Sequence, residues 1–332
     1  PISDALLDRI DRVEREFDLP RGVASRRNQA YGYSYYWGRR VTPETIDMHV
    51  EYARQAGFRA FMISYWSFAE TAGHFGWNDA YPNGASDLRS VTRTIEEAGM
   101  LPGLHIHYSK ADRTDPYVQG TPDHRLNLRR RFTLAAPLEA SATEVHVEEN
   151  PRGCSMEDER RVLRIGDELL AYEGFTTQRP YRFTGCRRGH LDTVPARHPI
   201  GGAVGLLDVD TWTRFVRFDQ DTSIQDEVAE RVSDICDSAG FVFVYFDGAE
   251  DVHPPYWYHV GDAQRRLHDA LRERPVFGEG ACRSHFSWHI LTRGNAFDTF
   301  SPEDIKPVTR ELIVPDAERM QREFTAINFG WL

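Results

Sequence analysis

The chain has 332 residues, 40% of them hydrophobic, and a formal charge of -11. That size and apolar content allow a full core and exclude a disordered tail or a repeat array. The acidic balance excludes a general nucleic-acid binder, since phosphate contacts need clustered Lys and Arg and the run Arg129 to Arg131 is short.

No stretch approaches the roughly 20 apolar residues that cross a bilayer, so neither membrane nor nucleic acid is expected as a partner. The chain starts at Pro1 and stops inside the apolar run Ala326 to Leu332, which reads as a trimmed piece of a longer protein. Such trimming would hide an export signal, and secretion or periplasmic location is the expectation on the chemistry argued below.

In chain order, Ala30 to Trp37 reads as an opening strand. A helix beginning at Thr42, with Pro43 at its first position, places Ile46, Val50 and Ala53 on one face and ends at Gly57 before the strand Phe58 to Tyr65. A second helix, capped by Ser86, aligns Leu88, Val91 and Ile95 and stops at Gly99 before the strand Leu101 to Tyr108. From about Asn127 to Leu207 the rhythm shortens to alternating runs such as Glu144-Val-His-Val and Arg161 to Tyr172, with turn residues between them. A third helix with Ile224, Val228, Val232 and Ile235 stops at Gly240 before the strand Phe241 to Phe246. A fourth, around Asp262 to Arg272, leads to the strand Pro275 to Glu279.

Alternating helices and buried strands predict an α/β fold with a parallel sheet. A (β/α)8 TIM-type barrel is preferred, incomplete in this chain, with weak further strands near Asn295 to Phe300 and Ala326 to Leu332. A doubly wound sheet is the alternative, but no GxGxxG turn is present and polar residues gather at several strand ends. The expected organisation is residues 1–126 as the first part of the barrel, 127–207 as a small all-β insert after the third strand, and 208–332 as the second part. An insert there would lie over the active-site face. Four cysteines, Cys154, Cys186, Cys236 and Cys282, show no CxxC spacing, so neither a zinc site nor a disulfide framework is expected; a single Cys154 to Cys186 bridge stays open for an oxidising compartment.

The chemistry-bearing residues gather at strand ends. The fourth strand closes in Asp247, followed by Gly248, Glu250 and Asp251, and the fifth closes in Glu279 between two glycines. Glu250 and Asp251 also suit turn caps, but Asp247 ends an apolar strand, where folding needs no acid. Paired carboxylates at neighbouring strand ends fit glycosidic cleavage, about 5 to 5.5 Å apart in a retaining enzyme and about 6.5 to 9.5 Å in an inverting one. Trp37, Trp66, Tyr108, Tyr245 and Trp288 suit the faces of sugar rings, and His105, His107, Arg283 and His285 suit their polar groups. The partner expected is therefore an oligosaccharide or polysaccharide, with no cofactor and no metal, although His105 and His107 with Asp247 also suit zinc or manganese.

The segment from Val244-Tyr-Phe-Asp247 through Glu279 to His285-Phe-Ser-Trp288-His289 resembles the endo-α-N-acetylgalactosaminidase type of barrel glycosidase and the related α-galactosidase-like barrels. The resemblance implies Asp247 as nucleophile and Glu279 as general acid/base. The β insert has no counterpart in that pattern, so no substrate is carried over. Two other readings remain open on the residues: a polysaccharide lyase using His105, His107, Tyr108 and Tyr245 on a uronic-acid glycan, with Arg283 or Arg293 on its carboxylate, and a glycan-binding module without catalysis.

Overall fold

The computed structural model describes residues 4–248, 257–280, 287–297 and 326–329. The chain divides into two compact units, one of Pro1–Glu70, Phe75–Tyr108 and Gln225–Leu332, the other of Thr71–His74 and Ser109–Ile224.

The first unit is built on a five-stranded parallel sheet whose strands, in both chain and spatial order, are Tyr35–Gly38, Ala60–Ser64, Leu101–His107, Phe243–Asp247 and Gly278–Gly280. A further parallel pair joins Arg293–Phe297 to Ala326–Phe329. Helices α1 (Asp4–Glu16), α2 (Gly22–Arg27), α3 (Ile46–Gln55), α4 (Ala85–Glu97), α5 (Ile224–Ala239), α6 (Trp257–Ala270) and α7 (Ser287–Ile290) complete it. The α/β reading with a parallel sheet therefore stands. The expected strands are present with shorter bounds, and Gly99 and Gly240, at φ +76° and +73°, turn the chain from helix to strand in the left-handed region that glycine adopts freely. Helix α4 differs at its start: Gly84, not Ser86, is the N-cap, with no side-chain cap.

Helices α1 and α2 have no counterpart in the periodicity argument, for a physical reason. Helix α1 buries Asp11 and Glu14 and leaves Leu6 and Val13 exposed, the reverse of the usual pattern. It is held by polar contacts: Asp11 accepts from Arg21 at 2.6 Å, while Glu14 faces the Val23 amide at 3.2 Å and His289 Nδ1 at 2.9 Å.

The second unit holds a four-stranded antiparallel sheet, in the order Leu128–Thr133, Ala203–Leu207, Val162–Ile165, Glu168–Ala171, a three-stranded one of Val145–His146, Arg182–Thr184 and Gly174–Phe175, and the pair Lys110–Asp112 with Phe215–Arg217. Phe132, Val145, Leu163, Tyr172, Phe183 and Leu206 meet in its core. This compact unit is wider than the stretch 127–207 whose alternation marks it in the sequence. Cys154 and Cys186 share that core as free thiols, so the bridge left open above is not formed; Cys236 is free as well, and Cys282 lies outside the described residues. Burial pushes the Cys186 thiol up to about 12.

Two ionisable groups of this unit make measurable predictions. Glu168, 1% exposed, accepts from Arg188 Nη2 at 2.6 Å and Nε at 2.7 Å and contacts His198 Nε2 at 2.9 Å. Glu168→Ala would leave the buried Arg188 guanidinium without its carboxylate, and chemical denaturation should show a loss of about 3 to 5 kcal/mol. His190, whose Nε2 accepts from Arg113 Nη2 at 2.8 Å, has its pKa lowered to about 4 by burial and then by the charges of Arg113 and Arg187. Between its ordinary value and about 4 the unfolded chain takes up a proton that the folded chain refuses, so stability falls as pH falls through that window. Denaturation curves at stepped pH should show a loss of about 1 kcal/mol, after discounting for solvent at this partly open ring, and His190→Gln should remove that slope.

Candidate functional site

Side chains alternate along a strand, and the register then fixes which of them share a face. Trp37 pairs with Met62, Met62 with Gly103, Ser64 with His105, His105 with Tyr245 and His107 with Asp247. These residues, with Tyr35 and Glu279, therefore share one face of the sheet. Towards the start of the strands that face is apolar, with Ala60, Met62, Phe243, Tyr245 and Phe277 in contact. Towards their ends it becomes polar. The opposite face carries Phe61, Ile63, Leu104, Ile106, Val244 and Phe246, all buried.

At the polar end His105 Nε2 lies 2.8 Å and His107 Nε2 3.1 Å from the same oxygen, Asp247 Oδ2. Behind them His105 Nδ1 is 3.3 Å from Ser64 Oγ and His107 Nδ1 is 3.1 Å from Tyr65 Oη. Both imidazoles are buried, at 1% and 2% exposure, whereas the Asp247 side chain is 18% exposed. Asp247 is thus the member of the group that a ligand can reach. Burial opposes its charge, yet the facing His107 and the hydrogen bonds from His105 and His107 outweigh burial and hold its carboxyl well below the usual carboxylate range.

Aromatic rings pack this cluster. The Tyr65 ring lies parallel to His105 at 6.0 Å, Tyr245 stacks on it at 5.5 Å, and Trp37 and Trp66 flank it at 5.6 and 5.7 Å. The Arg39 guanidinium lies over both indoles, 5.3 Å from Trp37 and 5.6 Å from Trp66. Among the described residues, His105, His107 and Asp247 form the group whose donor atoms could hold a metal ion, all within 4.8 Å of one another.

Of the expected site residues, the structure thus brings together Asp247, His105, His107, Trp37, Trp66 and Tyr245, the last as a fully buried support. Two are placed elsewhere. Tyr108, 1% exposed, receives a hydrogen bond from Gln264 Nε2 at 3.0 Å and meets Phe246 edge-on, on the opposite face. Trp288 lies on α7 beneath the Arg26 guanidinium, 3.8 Å from the ring centroid. Glu250, Arg283 and His285 lie outside the described residues.

Glu279, expected as the acid of the pair, lies lower on the same face than Asp247. The register sets it opposite Tyr245, two residues short of Asp247, and it is 1% exposed. Tyr35 Oη donates to Oε1 at 2.9 Å, and Arg293 Nε approaches Oε2 at 3.1 Å as an ion pair without a well-aligned hydrogen bond. Burial, and next the Glu279 charge, drive the Tyr35 phenol well above its ordinary pKa, so it remains a donor.

Tyr35, Ser64 and Tyr65 join the cluster beyond the residues singled out for the site. For Ser64 a signal existed, since the parallel register aligns the ends of adjacent strands; Tyr65 begins the 3-10 turn Tyr65–Ser67, whose direction no periodicity reports.

No family model matches the chain, and no curated protein matches it. Among solved structures, similarity is found to an alpha-galactosidase from Thermus thermophilus in complex with stachyose, at 14% identity over 86% of this chain and 48% of that one, with a TM-score of 0.45. A Family GH13_31 enzyme is 9% identical over 80% of this chain and 51% of its own, with a TM-score of 0.46. An alpha-galactosidase from Lactobacillus brevis is 9% identical over 82% and 30%, with a TM-score of 0.41. The chain spans about half or less of the length of these proteins, and likeness at such TM-scores fixes neither fold nor activity. No helix among the described residues is long and apolar enough to cross a membrane.

Proposed function

We propose that the chain is a retaining glycoside hydrolase acting on an oligosaccharide or polysaccharide, with Asp247 as nucleophile, on a sheet that belongs to a (β/α) barrel. The observation that carries the reading is the state of Asp247: a partly exposed carboxylate at a strand end, kept ionised by two buried imidazoles that both meet Oδ2.

In this reading Oδ1 attacks the anomeric carbon, an ester forms, and the bond to the leaving oxygen breaks as that oxygen takes a proton from an acid. Water, giving its proton to the conjugate base of that acid, then cleaves the ester and restores the carboxylate. Trp37 and Trp66 offer apolar faces to sugar rings. Glu279, tied to Tyr35 and Arg293, supports the floor of the site, and the acid is a different group.

The test is wild-type activity on a panel of neutral and uronic-acid glycans, following reducing ends and ultraviolet absorbance together. Hydrolysis yields reducing ends alone. Absorbance rising with them would mean elimination to an unsaturated uronate and would replace this reading with the lyase.

A further inference from the structure

Two imidazoles on alternate residues of one strand, converging with a carboxylate from the next, form a donor set as well as a hydrogen-bonded cluster. We propose that His105 Nε2, His107 Nε2 and Asp247 Oδ2 bind one divalent first-row transition-metal cation, whose open positions take two adjacent hydroxyls of the sugar facing Oδ1. The sugar contact rests on the glycosidase reading; the ion site does not.

Distance supports the shell. With metal–ligand bonds of about 2.0 to 2.1 Å, donor atoms sharing one ion stand roughly 2.9 to 3.4 Å apart. The nitrogen–oxygen separation is 3.1 Å for His107, inside that range, and 2.8 Å for His105, just short of it, while the three donor atoms lie within 4.8 Å of one another, so closing on one ion takes a small shift of the rings. Two nitrogens and one carboxylate oxygen, without thiolate, suit zinc, manganese or iron(II) rather than a cation that prefers oxygen alone.

The surroundings support it independently. A ligating imidazole is normally fixed by a hydrogen bond at its other nitrogen, and here both Nδ1 atoms have one, to Ser64 Oγ and Tyr65 Oη. A hydroxyl both donates and accepts. Without an ion, Ser64 and Tyr65 donate to Nδ1 and both Nε2–H groups point to Asp247; with an ion, the same hydroxyls accept from Nδ1–H and both Nε2 lone pairs face the cation. The two states thus need only a change of tautomer. Tyr65, Tyr245 and Trp66 pack the rings so that the donors stay aimed. Open positions fall on the Asp247 side, where exposure rises from 1–2% at the imidazoles to 18%.

A cation held through Oδ2 need not silence Oδ1. The ion orients the carboxylate and fixes the sugar by two hydroxyls, while Oδ1 remains the attacking atom. This departs from the sequence-level expectation of no metal.

The test strips the whole chain with a chelator, removes the chelator, and titrates with cobalt(II) chloride, reading the visible spectrum and the bound ion after desalting. One ion per chain is expected in the wild type. Asp247→Asn and His107→Gln should weaken binding at least 100-fold. Tyr65→Phe, which removes a single hydroxyl, should weaken it by about 10- to 100-fold, and His74→Gln, in the other unit, should bind as wild type. Should the two ligand variants unfold by circular dichroism, Tyr65→Phe carries the decision. Wild-type affinity in folded Asp247→Asn, or in Tyr65→Phe, overturns the site, as does failure of the wild type to retain the ion. The two readings separate cleanly: full glycan hydrolysis by the stripped enzyme overturns the catalytic ion and leaves the nucleophile, whereas stoichiometric binding with no cleavage of any glycan leaves the ion site and sinks the glycosidase.

Discussion

Asp247→Asn is expected to reduce turnover of any glycan the enzyme cleaves by about ten-thousand-fold, the scale on which removing one member of a nucleophilic unit acts. The change keeps the size and shape of the side chain, and an amide oxygen still accepts from His105 and His107, so circular dichroism and thermal unfolding should stay near wild type. What is lost is the charge. The structure holds that charge against burial by aiming two Nε2 atoms at one oxygen. The loss should fall on kcat far more than on KM, because the ring contacts with Trp37 and Trp66 remain. Initial rates across a substrate range would reveal it.

The second large effect is on stability. Gly103 pairs with Phe243 on the site face, two residues before His105. A Cβ at Gly103 would meet the Phe243 ring at 2.1 to 2.3 Å, well inside contact distance. Phe243 has little room to yield, being fully buried and stacked on Phe277 with ring centroids 4.5 Å apart. Gly103→Ala should therefore cost about 3 kcal/mol, at the upper end of overpacking. Adding Phe243→Leu, which removes the opposing ring, should return a good part of it, and denaturation of both single variants and the double variant would show the coupling as non-additivity.

Much of the parallel sheet was legible because its helices carry a 3.6-residue apolar rhythm and its strands are apolar runs stopped by glycine or a charge. The same alternation gathers His105 and His107 on one face, and Asp247 is conspicuous because an acid closes a buried strand. That alternation also sets Tyr108 on the face opposite His107, away from the site. Helices α1 and α2 were illegible for a different reason: what α1 buries is Asp11 and Glu14, whose partners are Arg21 and Val23 beyond the helix end and His289, far off in the chain. The role of Glu279 depended on register. A shift of two residues separates an acid level with Asp247 from one beneath it, and only strand pairing reports that shift. Glu250, Arg283 and His285 fall outside the described residues.

The most direct test of Asp247 as nucleophile is intact-protein mass spectrometry after exposure to activated 2-deoxy-2-fluoro glycosides spanning the common sugars, followed by peptide mapping. One glycosyl adduct per chain on the peptide that contains Asp247, absent from Asp247→Asn, is the predicted result. An adduct on another carboxylate, or turnover without any adduct and with inverted anomeric configuration in the product, would contradict it.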